Sequence, residues 1–252
     1  MNDARDKLIV ALDVDQAGRA LELYESLRDC VGTFKIGMQL FTATGPEMVR
    51  RIVSRGSRVF LDLKFHDIPN TVATAAVEAA RLGVSMFNVH AAGGREMMKR
   101  AADAVAEVAG REGLAKPIVL GVTLLTSADR ETLQQLGISD DPSQVVRRLA
   151  ALASSSNLDG VVASAHEIKI IRDAVSDPNF KIVCPGIRSA TDPADDQRRT
   201  MSAGDAVRAG ADYVVVGRPI LNAEDPAKAA MSFAEEINAA LTNTVAMNQT
   251  TR

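Results

Sequence analysis

Apolar and polar positions alternate along this chain in a two-part rhythm. Short β-rich apolar runs at residues 8–14, 33–37, 58–64, 86–90, 118–125, 160–163, 181–185 and 213–217 are separated by longer segments of a different period. Apolar runs this short, bounded by turn residues, predict buried strands. The segments between them, including 17–27, 46–54, 72–82, 95–108, 143–153 and 167–175, repeat apolar residues three and four apart, which predicts amphipathic helices. A last helix follows the eighth run. Gly56, Gly83 and Gly210 stand just ahead of strands, where a helix C-terminus favours a residue that accepts the left-handed conformation.

Strands that alternate with helices pair in parallel, because each helix returns the chain to the same end of the sheet. Eight such units in 252 residues predict a single-domain α/β fold, a (β/α)8 TIM barrel covering residues 1–252. No Gly/Ser/Pro-rich linker divides the chain, and Leu12-Asp13-Val14-Asp15 stands where a glycine-rich dinucleotide fingerprint would follow the first strand. Two connections break the rhythm. Residues 127–142, with Leu133 and Leu136, are expected to hold an extra short helix. Residues 188–202 are long and polar for a strand-to-helix loop and read as a lid. The polar tail at 242–252 is expected to fray.

Composition changes this picture little. The chain is 46% hydrophobic and 24% charged with a net charge of −3, which gives no basic footprint for nucleic acid. No apolar run approaches the ~18 residues of a membrane span, and the polar N-terminus has no signal-peptide pattern, so the expectation is a cytoplasmic protein without a membrane partner. Cys30 and Cys184 lack metal spacing and read as small apolar residues in a reduced compartment.

Candidate chemistry concentrates at strand ends, since the loops after barrel strands open on one face and active sites lie there. The polar residues at those ends are Asp13, Lys35, Asp62, Lys64, Asp67, His90, Thr126, Ser127, Arg188 and Arg218. Asp62 and Lys64 lie two apart on the third strand and so share a face, with Asp67 just beyond it. Unpaired buried charge is costly, so an alternating network of lysines and aspartates is expected, either as a structural ion-pair cluster or as a working site. Pro185-Gly186-Ile187-Arg188 and Val216-Gly217-Arg218-Pro219 end strands seven and eight, where barrels commonly bind phosphate, and arginine matches phosphate oxygens bidentately. Asp62 and Asp67 could coordinate Mg²⁺, but Lys64 would compete with the cation, and metal is disfavoured. His66, His90 and His166 show no ligand spacing; the first two read as hydrogen-bonding residues, and His166 as the start of a helix.

The stretch Asp62-Leu63-Lys64-Phe65-His66-Asp67-Ile68-Pro69-Asn70-Thr71 resembles the signature of the orotidine 5'-monophosphate decarboxylase family. Ala11-Leu12-Asp13, Phe34-Lys35-Ile36-Gly37, Val122-Thr123-Leu124-Leu125-Thr126-Ser127, Asp196-Gln197-Arg198-Arg199 and the two arginine motifs extend the likeness over about residues 8–235. The resemblance implies conversion of orotidine 5'-monophosphate to uridine 5'-monophosphate and CO2 in pyrimidine biosynthesis, without cofactor or metal. It also implies a homodimer in which Asp67, Ile68 and Thr71 reach the partner's nucleotide. Lys64, Asp62, Asp67 and Lys35 would be the catalytic charges. Asp13 and Lys35 would hold the ribose, Thr126 and Ser127 would lie near the base, and Gln197 would bridge base and phosphate. Pro185, Arg188, Gly217 and Arg218 would complete the substrate site. Two readings compete with it: a metal-dependent phosphosugar aldolase or epimerase on the same barrel, reusing Asp13, Asp62 and Asp67, and a catalytically silent nucleotide-binding barrel.

Overall fold

A computed structural model describes residues 4–188 and 201–250, with side chains to residue 242. Its eight parallel strands are β1 (Leu8–Ala11), β2 (Thr33–Gly37), β3 (Arg58–Phe65), β4 (Met86–His90), β5 (Ile118–Val122), β6 (Gly160–Val162), β7 (Lys181–Cys184) and β8 (Tyr213–Val216). Each pairs with its sequence neighbours and β8 closes on β1, so the sheet is the expected (β/α)8 barrel. All eight strands fall where the apolar runs lie. The runs at 8–14 and 118–125 overshoot β1 and β5, because their last residues leave the ladder to become loops at the barrel mouth.

Side-chain alternation divides the apolar residues into two cores. Ile9, Ala11, Phe60, Met86, Leu120, Val122, Val162, Val183 and Val215 point inward and plug the barrel. The outward set, including Val10, Phe34, Ile36, Leu61, Phe87 and Val119, packs against the surrounding helices. Two small residues permit this packing. A Cβ at Gly121 would lie 3.1 Å from both Ala153 and Leu158, so its absence lets the helix Pro142–Ser154 approach β5. A Cβ at Gly160 would lie 2.3 Å from the Lys181 carbonyl oxygen.

The helices follow the predicted pattern with informative shifts at their ends. The helix expected at 72–82 spans Pro69–Arg81, because Pro69 takes the first helical position, where its missing N–H costs nothing. The connection 127–142 does contain a short helix, Arg130–Gln135, capped by the Asp129 side chain. A helix at Met38–Thr44 was not evident from periodicity; Gly45, at φ 64°, ends it after two turns. The final helix, Pro226–Thr250, carries its backbone beyond Thr242, where the polar tail begins. Of the 188–202 connection only its two ends are described, and they meet: Ile187 and Met201 form a parallel bridge, and the Arg188 N–H donates to the Met201 carbonyl at 3.2 Å. Among the described residues no helix is long and apolar enough to cross a membrane.

Gly160→Ala should destabilise the barrel by about 1–3 kcal/mol, the usual cost of overpacking. Urea unfolding would show a lower midpoint at constant slope; an unchanged midpoint would contradict the close approach of β6 and β7.

Candidate active site

The C-terminal ends of the strands surround a cavity of about 530 Å³. Its floor is apolar, formed by Ala11, Phe60, Val122, Val162 and Val215, which are also the upper part of the inner core. Its walls are polar. Asp13 follows β1, Lys35 lies on β2, Asp62 and Lys64 lie on β3, Thr126 and Ser127 belong to the loop after β5, and Pro185, Arg188, Gly217 and Arg218 follow β7 and β8. Ten of the residues singled out in the sequence therefore share one cavity.

The four charges on β1 to β3 form a continuous alternating chain. Lys35 Nζ lies 2.9 Å from Asp13 Oδ1 and 3.2 Å from Asp62 Oδ2, and Lys64 Nζ lies 2.7 Å from Asp62 Oδ1. Gly37 makes room for it, since a Cβ there would come within 2.9 Å of Lys35 Nζ and 3.1 Å of Asp13 Oδ1. Lys35 and Asp62 are only 8% and 9% exposed. Burial opposes the charge on each, yet for Lys35 the neighbouring Asp62 and Asp13 outweigh it and raise the pKa above its ordinary value. For Asp62, burial is likewise outweighed by Lys35 and Lys64 and by hydrogen bonds from Lys64 and Asn88, which lower its pKa. Both groups are held ionised.

Lys64 reaches this chain through an irregular strand. Leu61 pairs with Phe87 and Phe65 with Val89, so β3 spends four residues where β4 spends two. Lys64 sits inside this bulge at φ 53°, a left-handed conformation that costs a side-chain-bearing residue about 1–2 kcal/mol. Its backbone N–H, withdrawn from the ladder, donates to Asn88 Oδ1 at 2.8 Å, while Asn88 Nδ2 donates to Asp62 Oδ1 at 2.7 Å. The parity reading that set Asp62 and Lys64 on one face is right in outcome, but a bulge rather than a regular pleat achieves it.

The rest of the ten-residue stretch points elsewhere. Asp67 is exposed, accepts a hydrogen bond from the Ile68 N–H at 2.6 Å, and makes no ion pair among the described residues. Asp67, just beyond the strand, makes no hydrogen bond or ion pair with Asp62 or Lys64 of its own chain among the described residues, because the strand ends at Phe65 and the next residues turn outward into the helix. Ile68 is 68% exposed and Thr71 is exposed on the first helical turn. His66 and His90 pack ring against ring, 5.4 Å apart, outside the cavity lining. Burial, then His66 and Lys64, push the His90 pKa down. His166 lies in a single 3-10 turn, Ala165–Glu167, that leads into the helix Ile168–Ala174. Gln197 falls outside the described residues.

Two site residues escaped the sequence reading. Gln39 lines the cavity from the first turn after β2, and nothing in its surroundings distinguishes it from a solvated helix residue. Asn88 did carry a signal: it is a lone amide on the inward face of an apolar strand, between Met86 and His90, and it is fully buried.

A closed barrel with a charged, partly buried cavity at its C-terminal mouth defines a (β/α)8 enzyme scaffold. The chain belongs to the orotidine 5'-phosphate decarboxylase / HUMPS family, whose sequence model matches residues 6–233. An orotidine 5'-phosphate decarboxylase from Syntrophotalea carbinolica is 53% identical over 239 residues, covering 95% of this chain and 98% of the relative. One from Geobacter sulfurreducens is also 53% identical over 239 residues, covering 94% and 98%. The crystal structure of orotidine 5'-phosphate decarboxylase from Lactobacillus acidophilus superposes with a TM-score of 0.81 at 35% identity, over 92% of this chain and 98% of that one.

The ionic chain makes a definite statement about pH. The folded pKa of Asp62 lies below 3.8, so its contribution to stability is complete above that pH and is lost as pH falls through the lowered value. The folded pKa of Lys35 lies above 10.5, so its contribution is complete below that pH and is lost as pH rises past the raised value. Carbon-detected NMR should find the Asp62 carboxyl still mostly ionised at pH 3.8; half-protonation at or above that pH would refute the pairing.

Proposed function

We propose that this protein decarboxylates orotidine 5'-monophosphate to uridine 5'-monophosphate and CO2, as a step of pyrimidine biosynthesis in the cytoplasm. The observation that carries this reading is the chain Asp13–Lys35–Asp62–Lys64 in the same cavity as Arg188 and Arg218. Breaking the bond between C6 and the carboxylate leaves an electron pair on C6. Such an anion must be stabilised by fixed charge in a sheltered site. The Lys64 ammonium supplies that charge and then gives a proton to C6, leaving a neutral amine that regains its proton from solvent. Asp62 holds Lys64 in position at 2.7 Å and lies beside the departing carboxylate, where repulsion is relieved as neutral CO2 leaves. Lys35 and Asp13 would hold the ribose hydroxyls, and Thr126 and Ser127 the base.

Arg188, Gly217, Arg218 and Pro185 would surround the phosphate, and Gln197, which lies outside the described residues, would by the family resemblance bridge phosphate and base. Binding energy from this remote group favours positioning and closure over the reacting carbon. The Lys35 ammonium occupies the space between Asp13 and Asp62 that a divalent cation bridging the two carboxylates would need, which favours this reading over a metal-dependent aldolase. The partner in this reading is a second copy of the chain. The exposed Asp67, Ile68 and Thr71, directed away from their own cavity, are suited to complete the neighbour's site across a homodimer interface.

Loss of the orotate absorbance should follow addition of orotidine 5'-monophosphate, undiminished by a chelator, and Lys64→Ala should lower kcat by at least about 10⁴-fold. Near-normal turnover by that variant would sink the mechanism. For the dimer, mixing inactive Lys64→Ala with inactive Asp67→Ala after partial unfolding and reassembly should restore about a quarter of wild-type activity, since half the subunits are then in mixed dimers with one intact site each. No recovery in verified mixed dimers would show that Asp67 acts within its own subunit.

A further inference from the structure

The inner face of β4 contributes one polar residue to the inside of the barrel below the charged rim. Asn88 is fully buried and stands opposite the bulge in β3, so a single β4 side chain faces both Asp62 and Lys64. Its amide meets two demands at once. The Lys64 backbone N–H can only donate, and it does so to Asn88 Oδ1 at 2.8 Å. The ionised Asp62 carboxylate can only accept, and it takes Asn88 Nδ2 at 2.7 Å. Those two partners fix which end of the amide is oxygen and which is nitrogen. No carboxylate, hydroxyl or aliphatic side chain of this size both donates and accepts at two such points without rotating or changing its protonation.

We propose that Asn88 is a positioning residue for the proposed decarboxylation: it locks the left-handed bulge that aims Lys64 at the substrate and fixes the Asp62 oxygen to which Lys64 is bound. The inference deepens the decarboxylase reading and rests on it. Asn88 is not among the residues that line the cavity; it acts through both ends of the Asp62–Lys64 pair. Asp62 Oδ1 receives the Asn88 amide and the Lys64 ammonium together, so loss of the amide frees that oxygen to rotate away from its alignment. Loss of the amide also leaves the part-buried Lys64 N–H without its acceptor, and the bulge relaxes toward regular strand, carrying the ammonium with it. Displacements near 1 Å at a reacting group can cost about a hundredfold in rate.

Three measurements test this together. Asn88→Ala should lower kcat for orotidine 5'-monophosphate about a hundredfold while KM changes by less than about fivefold, because the groups proposed to grip the nucleotide are untouched. A kcat within threefold of wild type, or a loss confined to KM, overturns the proposal. Asn88→Asp keeps the shape, but its carboxyl can donate to Asp62 only when protonated, and it faces Asp62 and Lys64 on β3, with Lys35 on β2 and His90 and His66 close by. Its activity relative to wild type at each pH should therefore rise as pH falls from 9 to 5; a ratio independent of pH overturns the proposal. In the unaltered protein, the Lys64 backbone amide should resist hydrogen exchange as strongly as the core strands do, and fast exchange there overturns the proposal even if neither variant folds. An inactive wild-type protein would instead overturn the decarboxylase reading, and the exchange measurement would still judge the clamp.

Discussion

The site depends on one constraint: charges placed where water is scarce must compensate each other. Lys35 and Asp62 are both more than nine-tenths buried, and either one alone would be a severe penalty. Set in the order Asp13, Lys35, Asp62, Lys64, each charge has an opposite neighbour within 3.2 Å. Lys35 and Asp62 are thereby held ionised, and the chain is oriented, before any ligand arrives. Electrostatic catalysis requires this condition, since charges that must reorganise during the reaction lose much of their advantage.

The barrel makes the arrangement possible by separating two tasks along each strand. Inward residues low in the barrel are apolar and close it as a plug, while inward residues at the top are polar and form the cavity wall. One strand thus moves from stability to chemistry within two or three positions, as Phe60 gives way to Asp62 on β3 and Ala11 to Asp13 beyond β1. The rim is supported by small details that trade stability for geometry. Gly37 leaves space for an ammonium, and Lys64 takes a strained backbone conformation that the buried Asn88 amide compensates.

Much of this was legible in the chain. Strand positions followed from apolar runs because burial on both faces of a parallel sheet demands continuous hydrophobicity. The clustering of Asp13, Lys35, Asp62, Lys64, Arg188 and Arg218 followed from topology alone, since a closed barrel brings all strand ends together. What could not be read was local and cross-strand. The bulge at Lys64 leaves no mark in a period-2 pattern, as two residues are added and the inward parity is kept. Asn88 is conspicuous only once β4 is seen to face that bulge, and Gln39 looks like any surface glutamine until the cavity beside it is known. Asp67 is close to Asp62 and Lys64 in sequence, yet the end of β3 turns it outward.

The sequence by itself determined the fold class, the order of the strands and the set of charges at the mouth, because hydrophobic periodicity and chain order are one-dimensional properties. Only the tertiary structure decided which of those charges touch, which oxygen each ammonium selects, and which side chain from a neighbouring strand holds them there. The 2.7 Å distances from Asp62 to Lys64 and to Asn88 depend on register and on one left-handed residue, and these are settled only when the strands pair.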